Sequence, residues 1–182
     1  MPPTASKLPV CLVVMGPSGT GKTTTAKLLS QRLGWKFAEA DEFHPKSNIA
    51  KMSAGIALDD EDRAPWLASI RDWISDEAGM GESTVITCSA LKRRYRDVLR
   101  GAEARVRFVE LSAPQGVIGD RLAQRKGHYM PPSLFTSQYA DFEPLSEDED
   151  GVRVSVEQTP EGVVTDALRQ LDLLRPELFR AL

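Results

Sequence analysis

Pro9-Val-Cys-Leu-Val-Val-Met-Gly-Pro-Ser-Gly-Thr-Gly-Lys-Thr23 is the stretch on which the fold turns. Its first half, Val10 to Met15, is apolar at consecutive positions, which suits a strand buried on both faces. Its second half, Gly16 to Thr23, fits G-x-x-x-x-G-K-[ST] and opens a helical stretch, Lys22 to Leu33, that Gly34 stops. Ala26, Leu28, Leu29 and Leu33 supply its apolar positions. Glycines let the backbone curl until successive N–H groups point inward at phosphate oxygens, and the following helix adds its positive end. Lys22 can reach the β- and γ-phosphates of a nucleotide, and Thr23 is placed to ligate Mg²⁺. The expected phosphate-binding set is Gly16, Ser18, Gly19, Thr20, Gly21, Lys22, Thr23 and Thr24.

Outward from this stretch, strand-like and helix-like segments alternate. Trp35 to Ala40 reads as a strand, and Asn48 to Ser53 as a helical turn within a polar segment. Asp59 to Asp62 is an acidic cluster where a helix N-terminus favours negative charge. That helix is expected to run to about Ala78, with Trp66, Leu67, Ile70, Trp73 and Ile74 on one face. Ser83 to Cys88 reads as a strand, Ala90 to Arg100 as a basic helix and Arg105 to Leu111 as a strand. Pro114 to Arg125 reads as a helix with Ser112 and Gln115 as a capping box, broken at Gly127 to Pro132, with a short helix from Ser133 to Phe142. Val152, Val154 and Val156 alternate as a last strand, and a helix capped by Thr159 starts at Pro160 and ends near Pro176. The order predicts an α/β fold: a five-stranded parallel sheet with helices on both faces and ligands beyond the carboxyl ends of the strands. With 182 residues and no repeat or linker, the chain reads as a single domain, 1–182, after a loose tail at 1–8.

Composition removes several function classes. The chain is 41% hydrophobic and 27% charged with a net charge of −3, which argues against a nucleic-acid partner. Val10 to Met15, the longest apolar run, falls far short of the about 20 residues of a membrane helix. The start, Met-Pro-Pro-Thr-Ala-Ser-Lys, has no signal pattern. The two cysteines, Cys11 and Cys88, fall towards opposite ends of the expected sheet, too far apart for a bridge. They read as reduced, buried thiols, so the cytoplasm is the expected compartment. No Cys or His spacing suits zinc.

A phosphate cradle fixes a nucleotide, not a reaction. Two D-x-x-G strings, Asp76 to Gly79 and Asp148 to Gly151, lie outside a strand-end context, and N-K-x-D is absent, so a GTPase-type switch is disfavoured. The strand Ser83 to Cys88 ends in Cys88-Ser89 rather than acidic residues, against a motor ATPase. A compact kinase for a freely diffusing acceptor remains, beside a nucleotide-binding regulatory module with no turnover. The second strand puts Asp41-Glu-Phe-His-Pro45 on the carboxyl edge, where a carboxylate can take a hydroxyl proton or hold Mg²⁺ through water. The third strand puts Cys88-Ser89-Ala90 there, followed by Lys92, Arg93, Tyr95 and Arg96. Cationic groups around one pocket suit an anionic acceptor, and Arg suits a carboxylate. Simpler readings stand beside these: Asp41 as a turn cap, His44 as a loop residue, and Arg63 paired with the acidic cluster. Lys92, Arg93, Arg94 and Arg96 cannot all face one pocket, and Lys92 is the first choice.

These strings together resemble the gluconokinase family of P-loop small-molecule kinases, related more distantly to shikimate kinases and nucleoside monophosphate kinases. The resemblance rests on Gly16 to Thr23, Asp41 to Pro45, Asn48-Ile-Ala-Lys-Met52, Gly55 through Leu58, Asp60-Glu-Asp-Arg-Ala-Pro-Trp-Leu67, Cys88-Ser-Ala-Leu-Lys92, Tyr95-Arg-Asp97, His128-Tyr-Met-Pro131 and Ser137-Gln138. It implies a nucleoside monophosphate kinase-like fold with a small lid at about 126–133. It also implies transfer of the ATP γ-phosphate to the 6-hydroxyl of D-gluconate, which feeds the pentose phosphate pathway, and a homodimer.

Residue by residue, the resemblance makes Asp41 the acceptor-side carboxylate. It makes His44, Arg63, Ser89, Lys92, His128 and Gln138 the sugar-acid contacts. Arg121 would stack on the base, Arg125 would act on the phosphates beside Lys22, and Gln158-Thr159-Pro160 would back the adenine. Glu39 stands where the family often has Asp, Ala50 where it often has Glu, and Glu143-Pro144 lacks an intervening residue. A shikimate or nucleotide acceptor is the nearest rival reading.

Overall fold

The computed structural model describes residues 8–17, 19–113 and 141–174. Alternate residues of β1 (Val10–Met15) point to opposite faces of the sheet, and both sets are buried, as the unbroken apolar run requires. Cys11, Val13 and Met15 join one apolar cluster, while Leu12 and Val14 join the other. The strand pairs in parallel with β3 (Thr84–Thr87) on one side and β4 (Arg105–Ser112) on the other. Outside these lie β2 (Lys36–Glu39) and β5 (Gly151–Ser155), also parallel, giving the order β2-β3-β1-β4-β5.

Each face is covered by helices whose apolar stripes match it. On the Cys11 face, α3 (Asp60–Gly79) contributes Trp66, Leu67, Ile70 and Ile74, and α4 (Arg93–Arg100) contributes Tyr95 and Leu99. On the Leu12 face, α1 (Lys22–Leu33) contributes Ala26 and Leu29, and α5 (Pro160–Gln170) contributes Val163, Val164, Ala167 and Leu168. Burial of each large apolar side chain is worth about 1.5–3 kcal/mol, so either face anchors its helices without a metal or disulfide. A remaining helix, α2 (Lys46–Ser53), follows a 3₁₀ turn at Ala40–Phe43 on the carboxyl side of β2.

Several boundaries differ from the sequence reading. Strand β2 stops at Glu39, and the chain winds at once into the 3₁₀ turn, so Asp41 sits in that turn. The basic helix starts at Arg93 rather than Ala90, because Ala90 is left-handed at φ 43° and Lys92 is extended as its N-cap. The last helix ends at Gln170, two residues before left-handed Asp172. The helices expected at 114–125 and 133–142 and the lid at 126–133 lie, apart from helical Asp141 and non-helical Phe142, outside the described residues. Both thiols are free and buried. Cys11 is opposite Thr84, whereas the Cys88 N–H reaches the Val14 carbonyl, so they sit at different levels of the sheet. No helix among the described residues is long and apolar enough to cross a membrane.

Candidate active site

Gly16, Gly19 and Gly21 all have positive φ, at 140°, 90° and 87°, and this produces the curl of the loop after β1. At Gly16 a Cβ would also be crowded, meeting the Leu111 carbonyl at 3.1 Å and Thr20 Oγ1 at 3.2 Å. The Thr20 hydroxyl donates to the Pro17 carbonyl at 2.9 Å and stiffens the turn. Lys22 Nζ donates to the Gly16 carbonyl at 2.8 Å, which folds its ammonium back over the loop. Gly21 caps α1, so the free N–H groups of the first helical turn open toward the curl. Thr23 Oγ1 donates to Glu39 Oε1 at 2.7 Å.

Beside the loop, Thr20, Gly21, Thr24 and Thr25 line one side of a cleft of about 270 Å³, with Val156, Gln158, Pro160 and Val163 opposite. Pro160 and Thr24 both line this cleft. Thr159 uses its hydroxyl to cap α5, accepting from the Gly162 N–H at 3.1 Å.

The carboxyl end of β3 gathers the other predicted groups. The Gly16 N–H donates to the Ser89 carbonyl at 3.4 Å, joining the phosphate loop to the turn after β3. Burial pushes the Cys88 thiol up to about 12, and the Ala90 main chain pulls it back. The charges of Lys22 on α1, Asp41 in the 3₁₀ turn and Arg63 on α3 also act on it. Arg63 is 9% exposed and donates to the Tyr95 hydroxyl at 2.9 Å, which in turn donates to Asp60 Oδ1 at 2.6 Å. The simpler alternative, Arg63 paired with the acidic cluster, is met only through Tyr95. Lys92 Nζ lies 5.9 Å from the Tyr95 ring centroid.

His44 stacks on Trp66, with ring centroids 4.2 Å apart and planes 11° apart. Its pKa falls to about 4: burial lowers it, Asp41 raises it and Arg63 lowers it again, so the ring is neutral near pH 7.

Among the basic residues of α4, Arg96 is fully buried and belongs to the scaffold. It donates to both oxygens of Glu149, at 2.8 and 2.9 Å, and to the carbonyls of Ala90 and Glu143. Arg93 pairs with Asp148 and Arg94 with Asp60. Lys92, the first choice from sequence, is the N-cap residue of the helix. Ser18, Arg121, Arg125, His128 and Gln138 lie outside the described residues.

Glu39, Asn48, Asp60 and Tyr95 also take part, and sequence reasoning assigned them no site role. Glu39 carried a signal, since it stands where the resembled family often has Asp. Asn48, Asp60 and Tyr95 each lie inside a matching string.

Sheet order and cradle together define a P-loop nucleotide-binding fold. Residues 11–145 match the AAA domain family. A gluconokinase of Gluconobacter oxydans is 50% identical over 161 residues, covering 88% of this chain and 90% of that protein. A gluconokinase structure from Sinorhizobium meliloti is 38% identical with a TM-score of 0.80, over 96% of this chain and 98% of that one. A sugar kinase structure from Janibacter is 49% identical with a TM-score of 0.87, over 93% and 98%. The chain belongs to the gluconokinase family.

Proposed function

We propose that this chain transfers the γ-phosphoryl group of ATP to the 6-hydroxyl of D-gluconate, giving 6-phospho-D-gluconate for the pentose phosphate pathway in the cytoplasm. The observation that carries the reading is the main-chain phosphate cradle after β1, joined to the turn after β3 by the Gly16 N–H to Ser89 carbonyl contact.

The loop amides and the α1 N-terminus hold the phosphates, and the ammonium of Lys22 leaves the Gly16 carbonyl to meet the β/γ oxygens. Adenine takes the cleft between Thr24 and Pro160. Thr23 and Glu39 would hold Mg²⁺, and their hydroxyl–carboxylate pair, 2.7 Å apart, is the hard oxygen set such an ion takes alongside phosphate. When bound, the ion draws charge from the β/γ oxygens. Among the described residues no group of three His, Cys, Asp or Glu could enclose a metal, consistent with a site completed by the nucleotide.

Asp41 orients the acceptor hydroxyl and accepts its proton as the oxygen attacks in line. Arg63 and Lys92 face the carboxylate of the sugar acid, with His44 and Ser89 beside them. Arg125 adds charge at the transferred group, Arg121 stacks on the base, His128 and Gln138 add acceptor contacts, and a lid at about 126–133 excludes water. We assign these last roles, and a homodimer, on the family resemblance. ADP release measured with gluconate, shikimate and nucleoside monophosphates tests the reading. Turnover with gluconate alone is expected, and preference for another acceptor or no turnover overturns it.

A further inference from the structure

We propose that Asn48 holds the His44 ring as its neutral Nε2–H tautomer, so that His44 enters the acceptor site as a hydrogen-bond donor. The substrate contact rests on the preceding reading of the site; the tautomer rests on geometry alone. Asn48 is 2% exposed on α2, and its amide nitrogen lies 2.9 Å from the main-chain carbonyl of Asp62. A carbonyl only accepts, so this contact fixes which end of the amide is nitrogen. The same nitrogen lies 3.2 Å from His44 Nδ1. One amide hydrogen serves Asp62, and the other is left for the ring. A ring nitrogen that accepts a hydrogen bond carries no proton of its own, so in the neutral ring the proton sits on Nε2.

The surroundings keep the ring neutral and in place. Trp66 stacks flat against it and is itself tied to the Ala40 carbonyl through Nε1 at 2.7 Å. The groups acting on the ring are Asp41 from the 3₁₀ turn, Asn48 from α2, and Arg63, Trp66 and the Asp62 carbonyl from α3. A second proton at Nδ1 would collide with the Asn48 N–H, and burial and Arg63 oppose it while Asp41 favours it. Among the described residues Nε2 has no hydrogen-bond partner. An uncharged donor there suits a hydroxyl or carboxylate oxygen of an open-chain polyol acid. Asn48 is thus a positioning residue, acting through His44.

The test is a two-bond ¹H–¹⁵N correlation spectrum of the full-length labelled chain. The chain has two histidines, and the His44 signals are those lost in His44→Gln. A protonated Nε2 and a bare Nδ1 are expected at pH 7, unchanged down to about pH 5. A protonated Nδ1, or an imidazolium between pH 6 and 7, overturns the proposal.

Kinetics supply the second readout. Asn48→Ala is expected to raise the gluconate KM about 10-fold, the scale of one hydrogen bond, with the ATP KM within about two-fold. Asn48→Asp puts an acceptor opposite Nδ1 and draws the proton there, so its gluconate KM is expected to recover as pH falls and the ring gains a second proton. An Nε2–H spectrum in the wild type with an unchanged gluconate KM in both Asn48 variants and in His44→Gln overturns the placing of His44 at the acceptor instead.

Discussion

The phosphate-holding end of the proposed site comes from one unbroken run, Gly16 to Thr23, and much of what it offers is main chain: curled amides and a helix start. The proposed acceptor end takes Asp41 and His44 from the turn after β2, Arg63 from α3, and Ser89 and Lys92 from the segment before α4, and offers mainly side chains. Main-chain amides are positioned by φ and ψ alone, so the first end asks only for glycines and a helix. Side chains from distant elements must be held by further side chains. That is why Arg63 leans on Tyr95, His44 on Trp66 and Asn48, and the Ala90 turn on buried Arg96. The nucleotide end is therefore expected to be robust to distant substitutions and the acceptor end sensitive to them.

The largest effect should come from Lys22, whose ammonium reaches the transferred group in the proposed mechanism. Lys22→Ala is expected to cut kcat/KM by about 10³-fold or more, the scale of losing a charge at the transferred phosphoryl, with an unchanged melting temperature. Near-normal turnover would break the assignment of that end. Asp41→Asn comes next, with kcat falling by about 10²- to 10⁴-fold, the range for a general base, and the gluconate KM nearly constant. A rise in KM with kcat preserved would make Asp41 a binding group.

Glu149→Gln tests the support of the acceptor end. Burial by itself raises the Glu149 carboxyl, but hydrogen bonds from Arg96, the Ser146 N–H and Arg100 outweigh it and hold the group at about 2. A carboxylate depressed in the folded state stabilises it above the unfolded value of about 4.3, and that contribution vanishes as pH falls from there through about 2. Removing the charge leaves Arg96 buried without its counter-ion, which costs about 3–5 kcal/mol. Urea unfolding at pH 7 should show that loss, and stability should depend less on pH between about 4.5 and 2. Because Arg96 also holds the Ala90 carbonyl, the gluconate KM should rise before the ATP KM does.

The same contrast governs what could be read from sequence. The glycines, Lys22 and Thr23 announce themselves because their spacing is local, and β1 does so because burial on both faces leaves no polar position. The alternating pattern was enough for a parallel sheet with helices on both faces, since each helix carries its own stripe. The boundary at Ala90 was not legible: its neighbours are good helix formers, and the left-handed turn is set by tertiary contacts, Arg96 on its carbonyl and burial of Leu91. Nor were Asn48 and Tyr95 legible as site residues. Each acts through a partner far away in sequence or in another element, and periodicity carries no trace of who accepts whose proton.

Tyr95→Phe is the mildest and most discriminating change. The hydroxyl accepts from Arg63 and donates to Asp60, while the ring packs in the core with Arg63 5.1 Å, Arg94 5.6 Å and Lys92 5.9 Å from its centroid. Burial and then the Asp60 hydrogen bond raise the Tyr95 pKa, whereas Arg63 lowers it, so the phenol stays protonated and keeps donating at neutral pH. Phenylalanine keeps the packing and the cation contacts but removes the bridge, leaving a buried guanidinium N–H without its acceptor. The loss should be about 1.5–3 kcal/mol, the value of a hydrogen bond to a charged group. It should emerge as a rise of about 10- to 150-fold in the gluconate KM, by the usual conversion of about 1.4 kcal/mol per decade. The ATP KM should hold, because among the described residues the hydrogen bonds of the Arg63–Tyr95–Asp60 chain do not reach the phosphate loop. If both KM values climb together, the two ends share one scaffold after all, and the main-chain loop is no more independent of distant side chains than the acceptor pocket is.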